Sequence, residues 1–218
     1  MKTQFHSLMV KICGITSFED AAAAVEAGAN LLGFNFYPAS PRYIEPVRCQ
    51  EIIVALKERG LSASMIGIFV NTPLEQIRMI IQTCDLNLAQ LSGDESPEVL
   101  DSLEGRGYKA LRVKDAVGLQ TAQQRYPIQP YPPAYLIDAY RPGEYGGTGQ
   151  TADWSLAAEL SRSVPILLAG GLTSENVAQA VSQVRPWGVD VASGVESAPG
   201  IKDHHKMRRF IQQARGER

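Results

Sequence analysis

The feature that most constrains the fold is an alternation of short apolar runs with helical stretches, repeated eight times along 218 residues. The apolar runs predict strands at 9–13, 31–36, 64–70, 86–91, 108–113, 134–139, 165–169 and 188–192. The intervening stretches predict helices at 18–27, 47–59, 118–125, 153–162, 174–184 and 203–214, with two more beginning near Thr72 and Ser96. Strict alternation predicts a parallel sheet, and eight units predict its closure into a single (β/α)8 TIM barrel over residues 1–218.

Composition narrows the class of protein. A net charge of −2 with no basic run argues against a nucleic-acid partner. No apolar run approaches the roughly 18 residues of a membrane span, and residues 1–7 lack the apolar core of a secretion signal. The three cysteines, Cys13, Cys49 and Cys84, are odd in number and far apart, so they predict no disulfide framework. We therefore expect a reduced, cytoplasmic protein without a membrane or nucleic-acid partner.

Cys13 ends the first predicted strand, and Thr16 with Glu19 predicts a capping box that opens the next helix. The carboxyl ends of barrel strands are where such folds carry their chemistry. A thiol there can act as nucleophile or general base if its pKa, about 8.5 when unperturbed, is lowered. The alternative is an inert buried hydrophobe, which is how we interpret Cys49 and Cys84.

Asp138 ends the sixth predicted strand after three apolar residues. A carboxylate in that position is unfavourable unless it is paired or functional. Desolvation at the floor of a pocket would raise its pKa and make it a general acid. Helix capping or a structural ion pair remains the alternative.

Lys11 lies two residues before Cys13, so both side chains leave the strand on the same face. If that face is the barrel interior, the ammonium group needs a partner. The first and eighth strands are neighbours in a closed barrel, and Asp190 lies in the middle of the eighth. We therefore predict a Lys11–Asp190 ion pair; the alternative is that Lys11 extends outward beneath a helix.

Glycine-containing turns follow the last two strands. Gly170 and Gly171 come after the seventh strand, and Ser193 and Gly194 after the eighth. Each pair precedes a helical start, so backbone N–H groups can converge on an anion there. A phosphate site in these two loops is the recurring arrangement in this barrel. The pattern predicts a phosphorylated substrate, although one glycine pair alone would indicate only a turn.

Two loops offer further candidates. The loop 37–43 contains two prolines and one charge, Arg42, whose guanidinium suits a carboxylate, although an exposed arginine is usually only solvated. The glycine-rich segment 146–149 is either a mobile lid or a flexible connection. The three histidines follow no strand end, so we predict no metal site.

Several short motifs occur in order along the chain. They are KICGIT from residue 11, GFNFY from 33, SPRY from 40, GIFVN from 67, GGTG from 146, AGGL from 169, GVDVASGVE from 188 and GIKD from 200. In this combination they resemble the phosphoribosylanthranilate isomerase family over essentially the whole chain. The resemblance implies an Amadori rearrangement of N-(5-phosphoribosyl)anthranilate in tryptophan biosynthesis.

The resemblance also implies roles for individual residues. Cys13 would be the general base, Asp138 the general acid, and Arg42 the group that binds the anthranilate carboxylate. The other expected substrate contacts are Gln90, Gly147, Gly170, Gly171, Ser193 and Gly194. Neither a cofactor nor a metal ion is expected, because one acid and one base suffice.

One motif departs from the family pattern. The family usually has Gln-Leu-His-Gly after the fourth strand, whereas this chain has serine at position 92. Ser92 can donate a hydrogen bond but carries no charge, so we expect activity with weaker or rearranged substrate binding. The alternatives are another phosphosugar isomerase on the same barrel, or a non-catalytic phosphate-binding barrel. A monomer and a homodimer both remain open.

Overall fold

The structure is a computed structural model that describes residues 8–112, 115–138 and 154–216. Eight parallel strands close into a barrel in chain order, with the first strand paired to the eighth. The strands are β1 Met9–Cys13, β2 Leu31–Asn35, β3 Ser64–Phe69, β4 Leu88–Leu91, β5 Gly107–Leu111, β6 Tyr135–Asp138, β7 Ile166–Ala169 and β8 Gly188–Val191. The predicted (β/α)8 barrel is confirmed.

Helices follow the strands and cover the outside of the barrel. They are α1 Phe18–Glu26, α2 Pro46–Glu58, α3 Leu74–Cys84, α4 Pro97–Asp101, α5 Ala116–Arg125, α6 Ser155–Ser161, α7 Val177–Val184 and α8 His204–Arg215. Between β8 and α8 lie a 3₁₀ helix at Ser193–Val195 and an antiparallel hairpin of β9 Glu196–Ala198 and β10 Ile201–Lys202. None of the helices in the described ranges is long and apolar enough to cross a membrane.

α1 begins at Phe18 as predicted, but its predicted cap was wrong, and α3 begins two residues later than predicted. The N-cap of α1 is Ser17, whose Oγ accepts from the Asp20 amide at 3.2 Å. The predicted cap, Thr16, instead donates its hydroxyl to the Gly200 carbonyl at 2.6 Å, so it is not available to the helix. Before α3, Pro73 has an extended ψ of 140°, which places Thr72 too far upstream to cap a helix that begins at Leu74.

The apolar part of the barrel interior is a small cluster whose buried members all lie on strands. Its buried members are Leu31, Ile66, Tyr108, Leu136, Leu167 and Ala169. A larger apolar cluster lies between the sheet and the surrounding helices. Because side chains alternate along a strand, the interior members show which later residue of each strand points into the mouth of the barrel.

The predicted ion pair between Lys11 and Asp190 is confirmed. The two residues are paired across β1 and β8, and Lys11 Nζ lies 3.1 Å from Asp190 Oδ1. Lys11 Nζ also donates to Gln90 Oε1 at 2.7 Å. Burial alone would lower the pKa of Lys11, but the Asp190 carboxylate raises it above its usual value. Lys11 therefore keeps its charge inside the barrel.

We predict that Asp190→Asn lowers the free energy of unfolding by about 3–5 kcal/mol, because it leaves the Lys11 ammonium buried without a counter-ion. The double variant Lys11→Met with Asp190→Asn should recover much of this loss. Urea unfolding at pH 7 measures both effects.

The matched control is Asp85→Asn, which removes a carboxylate from the exposed Lys57–Asp85 pair and should cost no more than about 1 kcal/mol. A cost for Asp190→Asn that equals the control would show that the interior pair does not hold the barrel together.

Candidate active site

Cys13 is the last residue of β1 and its side chain is partly exposed at the carboxyl end of the barrel. It shares the interior-facing side of the strand with Lys11. Burial, aided by the Asp190 carboxylate, raises the pKa of the Cys13 thiol above its usual value, and the ammonium groups of Lys11 and Lys202 offset only part of that rise. Ionisation of the thiol therefore depends on the two positive charges beside it.

The chain turns sharply after Cys13 at Gly14, whose φ is +77°. A Cβ at that position would lie 2.5 Å from Cδ of Arg42. Glycine is needed here both for the left-handed backbone and for the close passage of the arginine side chain. The turn after β1 and the loop after β2 are therefore packed together directly beside the thiol.

Asp138 is the last residue of β6, two positions after Leu136, which lies inside the barrel. Its side chain is 32% exposed, so it reaches the mouth. Strands β7 and β8 separate β6 from β1 on one side of the barrel. Cys13 and Asp138 thus belong to the same rim and lie on non-adjacent strands, which suits groups that act on two sides of one substrate.

Arg112 also reaches this rim, and the sequence analysis missed it. Its Nε lies 4.0 Å from Asp138 Oδ2, and its side chain is largely exposed. The sequence could have indicated this position. Tyr108 and Ala110 face the barrel interior, and Arg112 is the next residue on the same side of the strand. Gly147 and the predicted lid at 146–149 lie outside the described residues.

Arg42 is paired within the protein. Its Nε and Nη2 donate to Glu196 Oε1 and Oε2 at 2.8 and 2.6 Å, a bidentate geometry. The hydrogen bond from Arg42 to Glu196 raises the pKa of Arg42. Hydrogen bonds from Arg42 and Lys202 outweigh burial and lower the pKa of Glu196. The Arg42 guanidinium is therefore held in a fixed orientation, with N–H groups that Glu196 does not engage.

The glycine turns after β7 and β8 are brought together, as the sequence analysis expected. Gly170 and Gly171 have φ of +94° and +63°. A Cβ on Gly194 would lie 1.9 Å from the Leu172 carbonyl oxygen, so the two loops touch. A cavity of about 730 Å³ adjoins the turn after β8, and its lining includes Ser193, Gly194, the carboxylate Glu175 and the basic α8 side chains Lys206 and Arg209. Backbone N–H groups and nearby positive charge are suited to a phosphate group.

Gln90 lies below the mouth, within the barrel interior. Its Oε1 accepts from Lys11 Nζ at 2.7 Å and from the Tyr108 hydroxyl at 2.9 Å. Its Nε2 donates to Ser92 Oγ at 3.1 Å. The amide that we predicted to contact substrate is thus used to connect the interior charge to Ser92, at the position where the family usually has histidine.

The remaining cysteines lie away from the strand ends. Cys49 and Cys84 are buried on α2 and α3, and the Cys84 thiol donates to the Pro46 carbonyl at 3.3 Å. Within the described ranges, no group of three His, Cys, Asp or Glu side chains could hold a metal ion.

We predict that Gly194→Ala lowers the free energy of unfolding by at least about 2 kcal/mol, because the new methyl group overlaps a backbone carbonyl. Gly171→Ala meets no atom within 4 Å and should cost only about 1 kcal/mol of left-handed strain. Urea unfolding of the two variants gives the comparison. A larger loss for Gly171→Ala would show that the two loops are not in the contact described.

Comparison with known proteins gives a family match over almost the whole chain. The family model described as N-(5'phosphoribosyl)anthranilate (PRA) isomerase matches residues 10–213. The chain is 49% identical over 208 residues to the N-(5'-phosphoribosyl)anthranilate isomerase of Geobacter sulfurreducens, covering 95% of this chain and 98% of that one.

Solved structures give the same result. The phosphoribosyl anthranilate isomerase of Thermotoga maritima superposes with a TM-score of 0.84 at 40% identity, covering 96% of this chain and 99% of that one. A second isomerase structure, solved in complex with reduced 1-(o-carboxyphenylamino)-1-deoxyribulose 5-phosphate, has a TM-score of 0.81 at 37% identity with the same coverage. The chain therefore belongs to the phosphoribosylanthranilate isomerase family.

Proposed function

We propose that this chain converts N-(5-phosphoribosyl)anthranilate to 1-(2-carboxyphenylamino)-1-deoxyribulose 5-phosphate, with Asp138 as general acid and Cys13 as general base. The observation that carries the proposal is the placement of these two side chains at the ends of β6 and β1, on one rim of the barrel. The complex of a related isomerase with a reduced form of this product supports the choice of substrate.

The first step opens the sugar ring. Asp138, in its protonated form, gives a proton to the ring oxygen as the bond between that oxygen and C1 breaks. The lone pair of the anthranilate nitrogen forms a double bond to C1, which leaves an iminium ion. A carboxyl group at the mouth, next to the cation Arg112, returns to its carboxylate form in this step.

The second step moves a proton from carbon. The iminium ion makes the C2 proton acidic, and the Cys13 thiolate removes it, so that the electron pair of the C–H bond neutralises the nitrogen. The resulting enolamine gains a proton at C1 and loses the proton of its C2 hydroxyl, which yields the ketone. The rearrangement is redox-neutral, so an acid and a base are sufficient.

Substrate binding would depend on groups that surround Cys13 and Asp138. Arg42, oriented by Glu196, would bind the anthranilate carboxylate through guanidinium N–H groups that Glu196 does not engage. The loops containing Gly171 and Gly194 would bind the phosphate at the far side of the mouth. Gln90 and Gly147 stay predictions as substrate contacts.

The setting of the enzyme is also a proposal. We expect it to act in the cytoplasm as a monomer or a homodimer on a small-molecule substrate. A structure of monomers generated from the dimeric isomerase of Thermotoga maritima has a TM-score of 0.80 and 37% identity to this chain. Size-exclusion chromatography with light scattering distinguishes the two assemblies.

We predict that Cys13→Ser and Asp138→Asn each lower kcat by about 10²–10⁴-fold, the usual value of a general acid or base. Neither change removes a charge needed to hold the substrate, so both variants should bind the reduced product analogue with nearly unchanged Kd. Loss of fluorescence of freshly prepared phosphoribosylanthranilate measures turnover, and calorimetry measures binding.

Cys84→Ser is the matched control, because Cys84 lies on α3 and not at a strand end, and serine can still donate to the Pro46 carbonyl. Its kcat should equal that of the unmodified chain. A kcat in Cys13→Ser or Asp138→Asn equal to that of the unmodified chain would refute the proposed acid or base role of the substituted residue. Analogue binding without turnover by the unmodified chain would instead indicate a non-catalytic phosphate-binding barrel.

A further inference from the structure

The β9–β10 hairpin, which links β8 to α8, packs on the rim beside β1. Its turn is fixed by the Thr16 hydroxyl, which donates to the Gly200 carbonyl at 2.6 Å. Gly200 has a φ of +82°, and a Cβ there would lie 2.9 Å from the Pro41 carbonyl oxygen. The Lys202 amide donates to Asp20 Oδ2 at 3.1 Å. The hairpin is thus joined to the loops that follow β1 and β2.

Lys202, the last residue of β10, carries a buried positive charge. Its side chain is fully buried, and its Nζ donates to the Cys13 carbonyl at 2.5 Å, to the Ala192 carbonyl at 3.3 Å and to Glu196 Oε1 at 2.8 Å. An ammonium group has three N–H donors, so the buried charge has a full set of partners. One side chain therefore connects the ends of β1 and β8 to the hairpin.

Glu196 continues this chain of charges toward Arg42. Its side chain is 5% exposed, and both of its oxygens accept from the Arg42 guanidinium. Because Oε1 also accepts from Lys202, the carboxylate lies between two cations. A bidentate arginine–carboxylate pair fixes the plane of the guanidinium as well as its position.

We propose that Lys202 and Glu196 are positioning residues that hold the general base and the carboxylate-binding arginine in one fixed arrangement. Lys202 holds the backbone at Cys13, and Glu196 holds the side chain of Arg42. The inference rests on the proposed roles of Cys13 and Arg42. It also gives the hairpin a function, since a (β/α)8 barrel does not require a hairpin between β8 and α8.

The charges around Cys13 give this proposal a distinctive signature. Lys11 of β1, Asp190 of β8 and Tyr108 of β5 face the thiol from below, while Arg42 and the hairpin pair face it from the rim. Lys202 favours the thiolate, whereas the negative charge of Glu196 is taken up by its pairing with Arg42 and Lys202. Removing the Lys202 charge should therefore raise the pKa of Cys13, whereas removing the Glu196 charge should leave it level or lower it.

The test compares Lys202→Met with Glu196→Gln, both close in size to the original side chains. The rate of iodoacetamide alkylation at Cys13, followed by mass spectrometry as a function of pH, reports the thiolate without requiring turnover. We expect the midpoint to rise by at least about 1 pH unit in Lys202→Met and to stay level or fall in Glu196→Gln. Lys202→Arg, which keeps the charge, should lie close to the unmodified chain.

Steady-state kinetics separates the two roles. Glu196→Gln should raise KM about tenfold with a smaller change in kcat, because it loosens a binding group, whereas Lys202→Met should mainly lower kcat. The control is Lys57→Met, which removes an equal charge from the exposed Lys57–Asp85 pair and should match the unmodified chain in both assays.

An alkylation midpoint in Lys202→Met that equals the Lys57→Met control would overturn the proposal. So would shifts of the same sign and size in Lys202→Met and Glu196→Gln, since general loosening of the fold would produce them. If Lys202→Met does not fold, an unchanged KM in Glu196→Gln overturns the proposal instead. Absence of turnover in the unmodified chain, with the predicted alkylation shifts intact, would count against the proposed function and leave the hairpin's effect on Cys13 established.

Discussion

Successive side chains of each strand point alternately into the barrel and toward the helices. In a closed barrel of eight parallel strands, this alternation decides which side chains meet at the mouth. Leu136 lies inside the barrel, so Asp138 must point into its opening, and Lys11 places Cys13 in the same way. A slip of one residue in either strand would turn its functional group toward the helices. The chemistry of the site therefore depends first on strand register.

Register in turn is supported by polar contacts that a purely apolar interior would lack. The Lys11–Asp190 pair joins β1 to β8, and Gln90 joins this pair to β4 and β5 through Lys11 and Tyr108. Each of these contacts requires particular residues to face each other across the barrel. The same ammonium group that fixes the register also faces the thiol, so structural and functional demands coincide at Lys11.

The parts of the site that could be predicted are those set by local pattern. Strand ends, alternation within a strand and the adjacency of the first and eighth strands were enough to place Cys13, Asp138 and the Lys11–Asp190 pair. Thr16 was assigned wrongly because its true partner, Gly200, lies 184 residues away in the sequence.

The hairpin residues also depend on partners that are distant in the sequence and that local pattern cannot predict. Glu196 and Arg42 are separated by 154 positions, and nothing in the short strands around Glu196 indicates that it meets a loop near the other end of the chain. Sequence pattern left Arg42 either solvated or bound to a carboxylate, and the family resemblance implied a substrate contact, whereas the fold pairs Arg42 with a buried carboxylate of its own chain. Such long-range polar pairs become visible only when the closed barrel brings the loops together.

The most direct measurement is a crystal structure of this protein with the reduced product analogue bound. The proposed mechanism predicts Cys13 Sγ within about 3.5 Å of C2 of the sugar, with the Asp138 carboxyl group on the opposite side beside the oxygen that closes the ring. An analogue that contacts only one of these two side chains, or a thiol turned away from the sugar, would contradict an acid and a base acting across one substrate.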